Sequence, residues 1–319
     1  MLYAYISTGA GLTPLPSDAE LASAIWIDLY RPLDSQVNSA TALGYEIPTL
    51  ADMEEIEISN RLYTDNGTLY MTGVLPGQLP DGTHVGMPVT FILNQKRLVT
   101  VRHHAPRPFE TFPARAERSS AGCGSPERVF LGLVEEIVGR LADISEGVSR
   151  VLDVTAGRVL GQQAPDDDVL KTALVNIGQQ AELMGRVRMG LLSMDRILVY
   201  HAASSAQRPE TTSGTRSLRA ATQRDIQALE VHADFLTSRI GMTIDATMGM
   251  IGLQQNERVR ILSVMTALFL PPTLIASFYG MNFDVFPTTH GPMGIPMAIG
   301  LMITSVVATV ALLKLKNWL

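Results

Sequence analysis

The sequence has very little of the chemistry that forms disulfides, soft-metal sites or reactive nucleophiles. Its 319 residues contain one cysteine, Cys123, which excludes both an intrachain disulfide and a cysteine-rich metal site. The Gly-Cys-Gly-Ser context predicts a loop, and no paired histidine or base motif accompanies the thiol. We therefore do not expect Cys123 to act as a nucleophile.

Enzyme signatures are absent as well. The chain contains no Gly-Lys-Ser or Gly-Lys-Thr phosphate loop, no Gly-x-Ser-x-Gly elbow and no His-Glu-x-x-His helix. These patterns carry nucleotide-driven, ester-hydrolysing and zinc-dependent hydrolytic chemistry, respectively. We expect a protein that is not an enzyme.

Basic residues are scarce at the start of the chain. Residues 1–60 hold one basic residue, Arg31, against nine acidic ones, which gives a local charge of 1 − 9 = −8. Nucleic acid needs a basic surface, so this composition argues against a nucleic-acid partner and suits a region that attracts cations. Glu54, Glu55 and Glu57 are candidate regulatory metal ligands, and ordinary solvated carboxylates are an equally good explanation of any one of them.

Charge is absent altogether from two long runs near the C-terminus, Ile261 to Tyr279 and Met293 to Leu313. About 20 uncharged residues, rising ~1.5 Å each in a helix, are enough to cross a hydrocarbon core about 30 Å thick. The two runs therefore predict two transmembrane helices, with membrane lipid as a partner.

The first run carries hydroxyl side chains along one side. On a helical projection of ~100° per residue, these side chains fall within roughly 80° of each other and share their stripe with Val259 and Leu270. The hydroxyl residues are Ser263, Thr266, Thr273 and Ser277. The pattern predicts a polar face interrupted by apolar side chains.

Flanking charges predict the orientation of the two spans. Arg258 and Arg260 precede the first span, Lys314 and Lys316 follow the second, and the loop Phe283–Pro292 contains no lysine or arginine. By the positive-inside rule both termini are expected in the cytoplasm, with the loop outside. The chain start lacks a basic segment and a long apolar stretch, so no secretory signal is expected and the first ~260 residues should stay cytoplasmic.

The N-terminal part has the pattern of an α/β domain with a mixed or antiparallel sheet. Asp65-Asn66-Gly67 predicts a tight hairpin turn, because Asn and Gly accept positive φ angles. The predicted strands are Leu2–Ser7, Ala24–Leu29, Ile56–Tyr63, Leu69–Val74, Pro88–Leu93 and Leu98–Arg102, with a short helix at Pro48–Glu55.

Long helices follow. Apolar residues recur at alternating steps of four and three in two segments separated by Gly161–Pro165, which predicts an antiparallel pair of coiled-coil-like helices. The first set is Phe130, Val134, Ile137, Leu141, Ile144, Val148 and Val151, and the second is Leu170, Leu174, Ile177, Ala181, Met184, Leu191 and Leu198.

From about Thr215 nothing stops a helix until Gly280, and ~65 residues at ~1.5 Å each make a stalk close to 100 Å long, bent at Pro271-Pro272. The predicted organisation is a cytoplasmic α/β domain at 1–122, a helical hairpin at 123–214, a stalk at 215–280 whose last part, 261–280, is the first span, an external loop at 281–292, a second span at 293–313 and a basic cytoplasmic tail at 314–319.

The string Tyr279-Gly280-Met281-Asn282-Phe283, at the end of the first of two C-terminal spans, resembles the Gly-Met-Asn signature of the CorA family of divalent-cation channels. The resemblance covers the whole layout of the chain. It implies a funnel-shaped homopentamer that passes hydrated Mg²⁺, with Gly280, Met281 and Asn282 as the selectivity filter and with cytoplasmic Mg²⁺ closing the channel. One or two helices per chain cannot enclose a pore, so several copies are required in any case.

The expected pore-lining residues are all on the stalk helix. Asn256 lies at the cytoplasmic mouth, and apolar constrictions that close by dewetting are expected where bulky aliphatic side chains point inward. The complete set is Asn256, Val259, Leu262, Ser263, Thr266, Leu270, Thr273 and Ser277.

One departure from the family pattern leaves the transported ion open. Family members often carry Met-Pro-Glu-Leu after the signature, whereas here the loop has Asp284 as its one acidic residue and also contains His290. A Zn²⁺ or other transition-metal transporter of the ZntB branch, with proton coupling, is one alternative. A non-conducting, membrane-anchored structural or sensory protein is the other.

Overall fold

The computed structural model describes residues 1–8, 11–16, 19–55, 57–161, 165–205, 213–281, 293–316 and 318. The chain forms two compact units. The first unit comprises Met1–Gln163 and Thr172–Ile244, and the second comprises Ala164–Lys171 and Asp245–Leu319.

A seven-stranded mixed sheet forms the centre of the first unit. Its order is β2-β1-β3-β7-β6-β5-β4, and every neighbouring pair is antiparallel except β3 and β7, which are parallel. The strands are β1 Leu2–Ser7, β2 Leu12–Pro14, β3 Trp26–Tyr30, β4 Leu62–Asp65, β5 Thr68–Gln78, β6 His84–Leu93 and β7 Leu98–Arg102. Of the two alternatives predicted from the sequence, a mixed or an antiparallel sheet, the structure has the mixed one.

Both predicted hairpins are present. Asn66 and Gly67 have φ angles of 44° and 76°, so the turn between β4 and β5 uses the two residue types that tolerate this conformation. Between β6 and β7 the side-chain oxygen of Asn94 accepts hydrogen bonds from the backbone N–H groups of Lys96 and Arg97, at 2.9 and 3.1 Å. A side chain that satisfies turn amides in this way fixes the hairpin locally.

The strand predicted over Ile56–Tyr63 is wrong over most of its length. Ile58–Arg61 is one helical turn, α3, and the strand begins only at Leu62. A helical turn forms here instead of a strand because local hydrogen bonds satisfy the backbone. The Asn60 N–H donates to the Glu57 carbonyl, and the Arg61 side chain donates to the Glu55 carbonyl. Ile56 itself lies outside the described residues.

The short helices α1, Asp34–Thr41, and α2, Leu50–Glu54, cover one face of the sheet, and the short helix α4, Pro108–Arg115, lies with the long helices on the other. The helix predicted at Pro48–Glu55 is α2, while α1 and α4 were not predicted. The cluster beneath α1 and α2 contains Ile27, Leu29, Ala40, Met53, Tyr70, Ile92, Val99 and Val101. The cluster on the opposite face is larger and contains Trp26, Met71, Phe91, Phe109, Phe130, Leu191 and Leu236.

The long helices are α5 Pro126–Val159, α6 Asp167–Ser205 and α7 Ser213–Tyr279. Within the first unit, Glu127 lies 3.5 Å from His201 and Leu141 packs at Gly190, so α5 and α6 run antiparallel, as predicted. Between α7 and α6, the Gln223 amide donates a hydrogen bond to the Asp195 carboxylate. The uninterrupted helix predicted from Thr215 is confirmed.

The buried seam of α5 departs from the prediction at its C-terminal end. Residues from Phe130 to Val148 follow the predicted steps, but Val151 is 37% exposed and Leu152 is fully buried in its place. A helix of 3.6 residues per turn drifts by about 20° per heptad from a strict seven-residue repeat, so over the three heptads from Phe130 the drift of about 60° turns Val151 away and leaves Leu152 nearer the buried side. The helix is therefore packed as an ordinary amphipathic helix.

A buried ion pair joins the two parallel strands. The Arg102 guanidinium on β7 contacts both carboxylate oxygens of Asp28 on β3, with Nη2–Oδ2 at 2.8 Å, and both side chains are at most 3% exposed. Asp28 also accepts from the Thr100 hydroxyl at 2.8 Å, and Thr100 accepts from the Trp26 indole at 3.0 Å. Removing one member of such a pair costs on the order of 3–5 kcal/mol, because the other charge is left buried without compensation.

His104 is a second buried polar group. One imidazole nitrogen, Nε2, lies 2.8 Å from the Leu75 carbonyl and donates to it, while Nδ1 is buried with no partner in the structure. Burial lowers the pKa of His104 to about 4, the Leu75 hydrogen bond opposes this shift, and the positive charge of Arg102 adds to it. A proton on Nδ1 has no acceptor, so His104 is neutral in the folded protein at neutral pH.

We expect His104 to make the fold acid-sensitive. Because its folded pKa is below the ordinary value of 6.5, the unfolded chain binds the extra proton first, and stability falls as pH drops from about 6.5 to about 4, by an amount on the order of 3 kcal/mol. Thermal unfolding of the full-length protein in detergent should show a shallower pH dependence for His104→Gln over this window. His232→Gln, a partly exposed control, should keep the wild-type slope, and an unchanged slope in His104→Gln would contradict the assignment.

Candidate functional site

Two helices in the described part of the chain are long and apolar enough to cross a membrane, judged by length and composition. They are α7 and α8, Gly294–Leu315. In the single chain the apolar part of α7 is solvent-facing, with Leu262, Phe269 and Leu274 exposed by 64% or more. Apolar surface of this extent needs lipid or further copies of the chain to cover it.

The candidate pore-lining residues share one side of α7. All eight lie within the helix, and on a projection of ~100° per residue they occupy an arc of roughly 120°. Seven of them are exposed and Ser263 is partly exposed, so no side chain of the described single chain covers this face. The structure thus places the predicted residues together on one accessible stripe.

Two hydroxyls on the stripe have a defined hydrogen-bonding direction. Thr266 Oγ1 donates to the Leu262 carbonyl at 2.8 Å, and Thr273 Oγ1 donates to the Phe269 carbonyl at 2.7 Å. Each hydroxyl proton is therefore used inside the helix, and the oxygen presents its lone pairs to the exterior as an acceptor. The waters around a cation point their hydrogens outward, so such acceptors match a hydrated cation.

Pro271 and Pro272 add further acceptors. Neither residue has a backbone N–H, so the carbonyls of Ala267 and Leu268 lack their helical donors although the helix continues through both positions. The bend predicted at this point stays a prediction. The two freed carbonyls lie within the uncharged segment, between the threonine hydroxyls described above.

Apolar side chains interrupt the polar stripe at two levels. Val259 and Leu262 are 57% and 65% exposed, and Leu270, about 12–17 Å further along the helix at ~1.5 Å per residue, is 66% exposed. Asn256 is exposed one turn before Val259. In an assembly that brings several α7 stripes together, these positions are the ones that narrow an aqueous path with apolar groups.

The helix ends at the signature motif. Tyr279 is the last residue of α7, the Gly280 N–H donates to the Ala276 carbonyl at 2.9 Å, and a β-carbon at Gly280 would lie 3.2 Å from that carbonyl oxygen. Glycine therefore fits this helix end with least crowding. Met281 is 55% exposed. Asn282, Asp284 and His290 lie outside the described residues.

The acidic regulatory candidates are exposed and separate. Glu54, Glu55 and Glu57 lie at and just after the end of α2, and the Glu55 carboxylate accepts a hydrogen bond from the Asn60 amide. Among the described residues no group of three or more His, Cys, Asp or Glu side chains is placed to hold a metal ion. A regulatory role for these residues stays a prediction that needs ligands from more than one chain.

An ion pair that the sequence did not reveal joins the stalk helix to the start of α6 within the second unit. Arg258 Nη2 lies 2.6 Å from Asp167 Oδ1 at the first turn of α6. The pair borders a cavity of about 320 Å³ that is also lined by Leu170, Ile251 and Gln254. The two residues are 91 positions apart, so no local pattern in the sequence links them. Arg258 therefore has a structural partner in addition to its place in the flanking-charge pattern.

Cys123 agrees with the expectation of an inert thiol. The side chain is buried, its sulfur lies 3.8 Å from the Ala116 carbonyl, and burial raises the pKa of the thiol. A raised pKa lowers the thiolate fraction that nucleophilic chemistry requires.

Comparisons with known proteins agree on one family. Residues 22–316 match the family described as CorA-like Mg²⁺ transporter protein. The magnesium transport protein CorA of Yersinia pseudotuberculosis is 30% identical over 307 residues, which cover 96% of this chain and 95% of that protein.

Two solved structures share the fold. The complete CorA magnesium transporter of Methanocaldococcus jannaschii is similar with a TM-score of 0.76 at 17% identity, covering 100% of this chain and 99% of that one. The ZntB cytoplasmic domain of Vibrio parahaemolyticus is similar with a TM-score of 0.53 at 10% identity, covering 77% of this chain and 96% of that one.

Proposed function

The chain belongs to the CorA-like Mg²⁺ transporter family, and on that basis we propose that it is a channel that passes hydrated Mg²⁺ across the cell's inner (plasma) membrane, down the electrochemical gradient. The family is one of ion transporters. The observation that carries the proposal is the exposed face of α7, where Thr266 and Thr273 present acceptor oxygens along an uncharged segment that ends at Gly280.

Mg²⁺ chemistry explains why neutral acceptors suit this path. Mg²⁺ holds its waters in octahedral geometry and dehydrates reluctantly, so a permeation path works best by hydrogen-bonding the water shell. Carboxylates in the path would trap a divalent ion, and the segment Ile261 to Tyr279 has none. The Asn282 amide, directly after Gly280 and Met281, would form the ring that orients the waters at the outer end.

The path requires several chains. One α7 stripe cannot enclose a pore, and its exposed leucines need a partner surface, which supports a homo-oligomer with α7 helices around the axis. We propose the homopentamer implied by the signature motif, with the rest of the two spans in contact with lipid.

The selectivity assignment is tested by Asn282→Ala. Removing the amide ring should lower Mg²⁺ flux into proteoliposomes by about ten-fold or more, because each subunit loses a hydrogen-bond partner for the hydrated ion. Thr289→Ala, another uncharged substitution in the same loop, is the matched control and should conduct normally. Wild-type Mg²⁺ flux in Asn282→Ala, with an intact oligomer by size-exclusion chromatography, would reject the filter.

We also propose that cytoplasmic Mg²⁺ closes the channel by binding acidic residues at subunit boundaries, with Glu54, Glu55 and Glu57 as candidates. Bound divalent ions would offset the repulsion between carboxylates, and their loss would favour an open arrangement. The equilibrium can shift only by the difference in ion affinity between the two states.

The proposed gate predicts a specific effect of Leu270→Asn. A polar side chain should hydrate the constriction and raise flux at high internal Mg²⁺, where wild type is closed. The measurement is flux against internal Mg²⁺ for both proteins, with Met265→Asn, exposed on the same helix but outside the pore-lining stripe, as the control. If flux through Leu270→Asn falls at high internal Mg²⁺ as far as it does in wild type, Leu270 is not a gate. If wild-type flux stays constant across the Mg²⁺ range, cytoplasmic Mg²⁺ does not close the channel.

Both termini are proposed to be cytoplasmic, supported by the basic residues that flank the two spans. Thr288→Cys in a Cys123→Ala background should react with a membrane-impermeant maleimide added outside right-side-out vesicles. Lys316→Cys in the same background should react only after permeabilisation. The reverse pattern would invert the topology.

A Zn²⁺ transporter, proton-coupled in the manner of the ZntB branch, is the second candidate. It is favoured by the fold likeness to the ZntB cytoplasmic domain and by a loop that contains His290 and only one acidic residue, Asp284. Proteoliposomes offered Mg²⁺ and Zn²⁺ in parallel, with and without a pH gradient, separate the two. Flux of neither ion would favour a non-conducting membrane protein.

A further inference from the structure

Two adjoining cavities lie in the first unit, between the β5–β6 hairpin, the start of α4 and the helices α5 and α6. The larger, about 580 Å³, is polar and is lined by residues of α4 and α5 that include Thr111, Arg115, Glu136 and Asp143. The smaller, about 240 Å³, is lined on the hairpin side by Pro76, Gln78, His84 and Val85 and on the helix side by Ile144, Leu183 and Arg186. Arg107 and Arg140 line both cavities and so mark their junction.

The two arginines at the junction have no carboxylate partner among the described residues, unlike the other two arginines of these cavities. Within the described part of the chain, neither the Arg107 nor the Arg140 side chain makes an ion pair or a hydrogen bond. The neighbouring arginines are paired: Arg115 Nη1 lies 2.9 Å from Glu136 Oε1, and Arg186 Nη2 lies 2.6 Å from Glu182 Oε1.

Charge is distributed unevenly between the cavities. The smaller one is lined by three arginines and no carboxylate, but Arg186 is paired with Glu182, so its uncompensated positive charge comes from Arg107 and Arg140. The larger one has three arginines against Glu136 and Asp143. In a chain of net charge −6, the junction and the smaller cavity are thus a local concentration of positive charge that attracts an anion.

The smaller cavity also has features that suit a ring. Apolar groups from Pro76, Val85, Ile144 and Leu183 form much of its wall. Gln78 and His84 also line it, are hydrogen-bonded to each other through their Nε2 atoms at 3.0 Å, and add polar groups to this wall. Apolar walls with a few directed polar groups are typical of pockets that hold a planar organic ligand.

We propose that this double cavity binds a nucleoside di- or triphosphate, with the phosphates at Arg107 and Arg140 and the ring system in the smaller cavity. Arginine suits this role because its planar fork donates two parallel hydrogen bonds to phosphate oxygens. The proposal does not rest on ion transport, since every residue in it belongs to the first unit and none to the pore-lining stripe.

The phosphate and ring contributions can be measured separately. Full-length protein in detergent is titrated with N-methylanthraniloyl-ADP, and fluorescence anisotropy is followed without divalent ions. Saturable binding is expected. Unlabelled ADP should compete best, inorganic tripolyphosphate more weakly and adenosine more weakly still, and affinity should fall as salt is raised.

Substitutions then test the residues. Arg107→Ala with Arg140→Ala should weaken binding by about ten-fold or more, because two charge-assisted contacts are lost. Since neither arginine has a partner to leave unpaired, these variants should fold normally. Arg140→Lys should recover part of the affinity, and Arg150→Ala, an exposed arginine on the same helix paired to Glu146, should bind as wild type does.

Absence of saturable binding, or equal affinity in the double variant and wild type, overturns the proposal. Equal competition by tripolyphosphate and ADP overturns the nucleoside part. Asn282→Ala should bind the probe normally, so a failure of the transport proposal and a failure of this one are distinguishable.

Discussion

The buried pair of Asp28 and Arg102 fixes the one parallel contact in the sheet. On one side of that contact lie β1, β2 and β3, and on the other lie the hairpins formed by β4 to β7. A shift of one residue between β3 and β7 would move Asp28 to the opposite face from Arg102, so the pair specifies the register as well as joining the strands. The same guanidinium lies 5.1 Å from the Phe109 ring at the start of α4, so the network also positions the helical layer.

Features with a local physical cause were predictable from the sequence. The hairpin at Asn66-Gly67 follows from φ preferences, and the long helices and the two spans follow from periodicity and from the absence of charge. α3 was missed because a single turn held by hydrogen bonds to Glu55 and Glu57 leaves no periodic trace. Asp28 with Arg102, and Arg258 with Asp167, were missed because residues more than 70 positions apart meet only through the fold.

The candidate site also has some features that were predictable from the sequence and others that were not. Helical geometry predicted which hydroxyl and apolar side chains share the α7 stripe. The direction of the hydroxyls was not predictable, because a threonine side chain can donate outward or back to its own helix, and the rotamer decides. The proximity of Arg107 and Arg140 could not be predicted either, because Arg107 precedes α4 and Arg140 lies within α5. The two residues line a common cavity only once these helices pack against the β5–β6 hairpin.

In the proposed pore, the inward-bonded threonines would let α7 favour cations over anions without carrying a charge. Waters around a cation direct both hydrogens outward to Thr266 and Thr273, whereas each water around an anion uses one hydrogen on the anion and has only one left to donate. Fixed charges that attract cations are screened within about 10 Å at 0.1 M salt. A preference that comes from the orientation of hydrogen bonds depends on contact geometry, so we expect it to persist at ionic strengths that screen fixed charges.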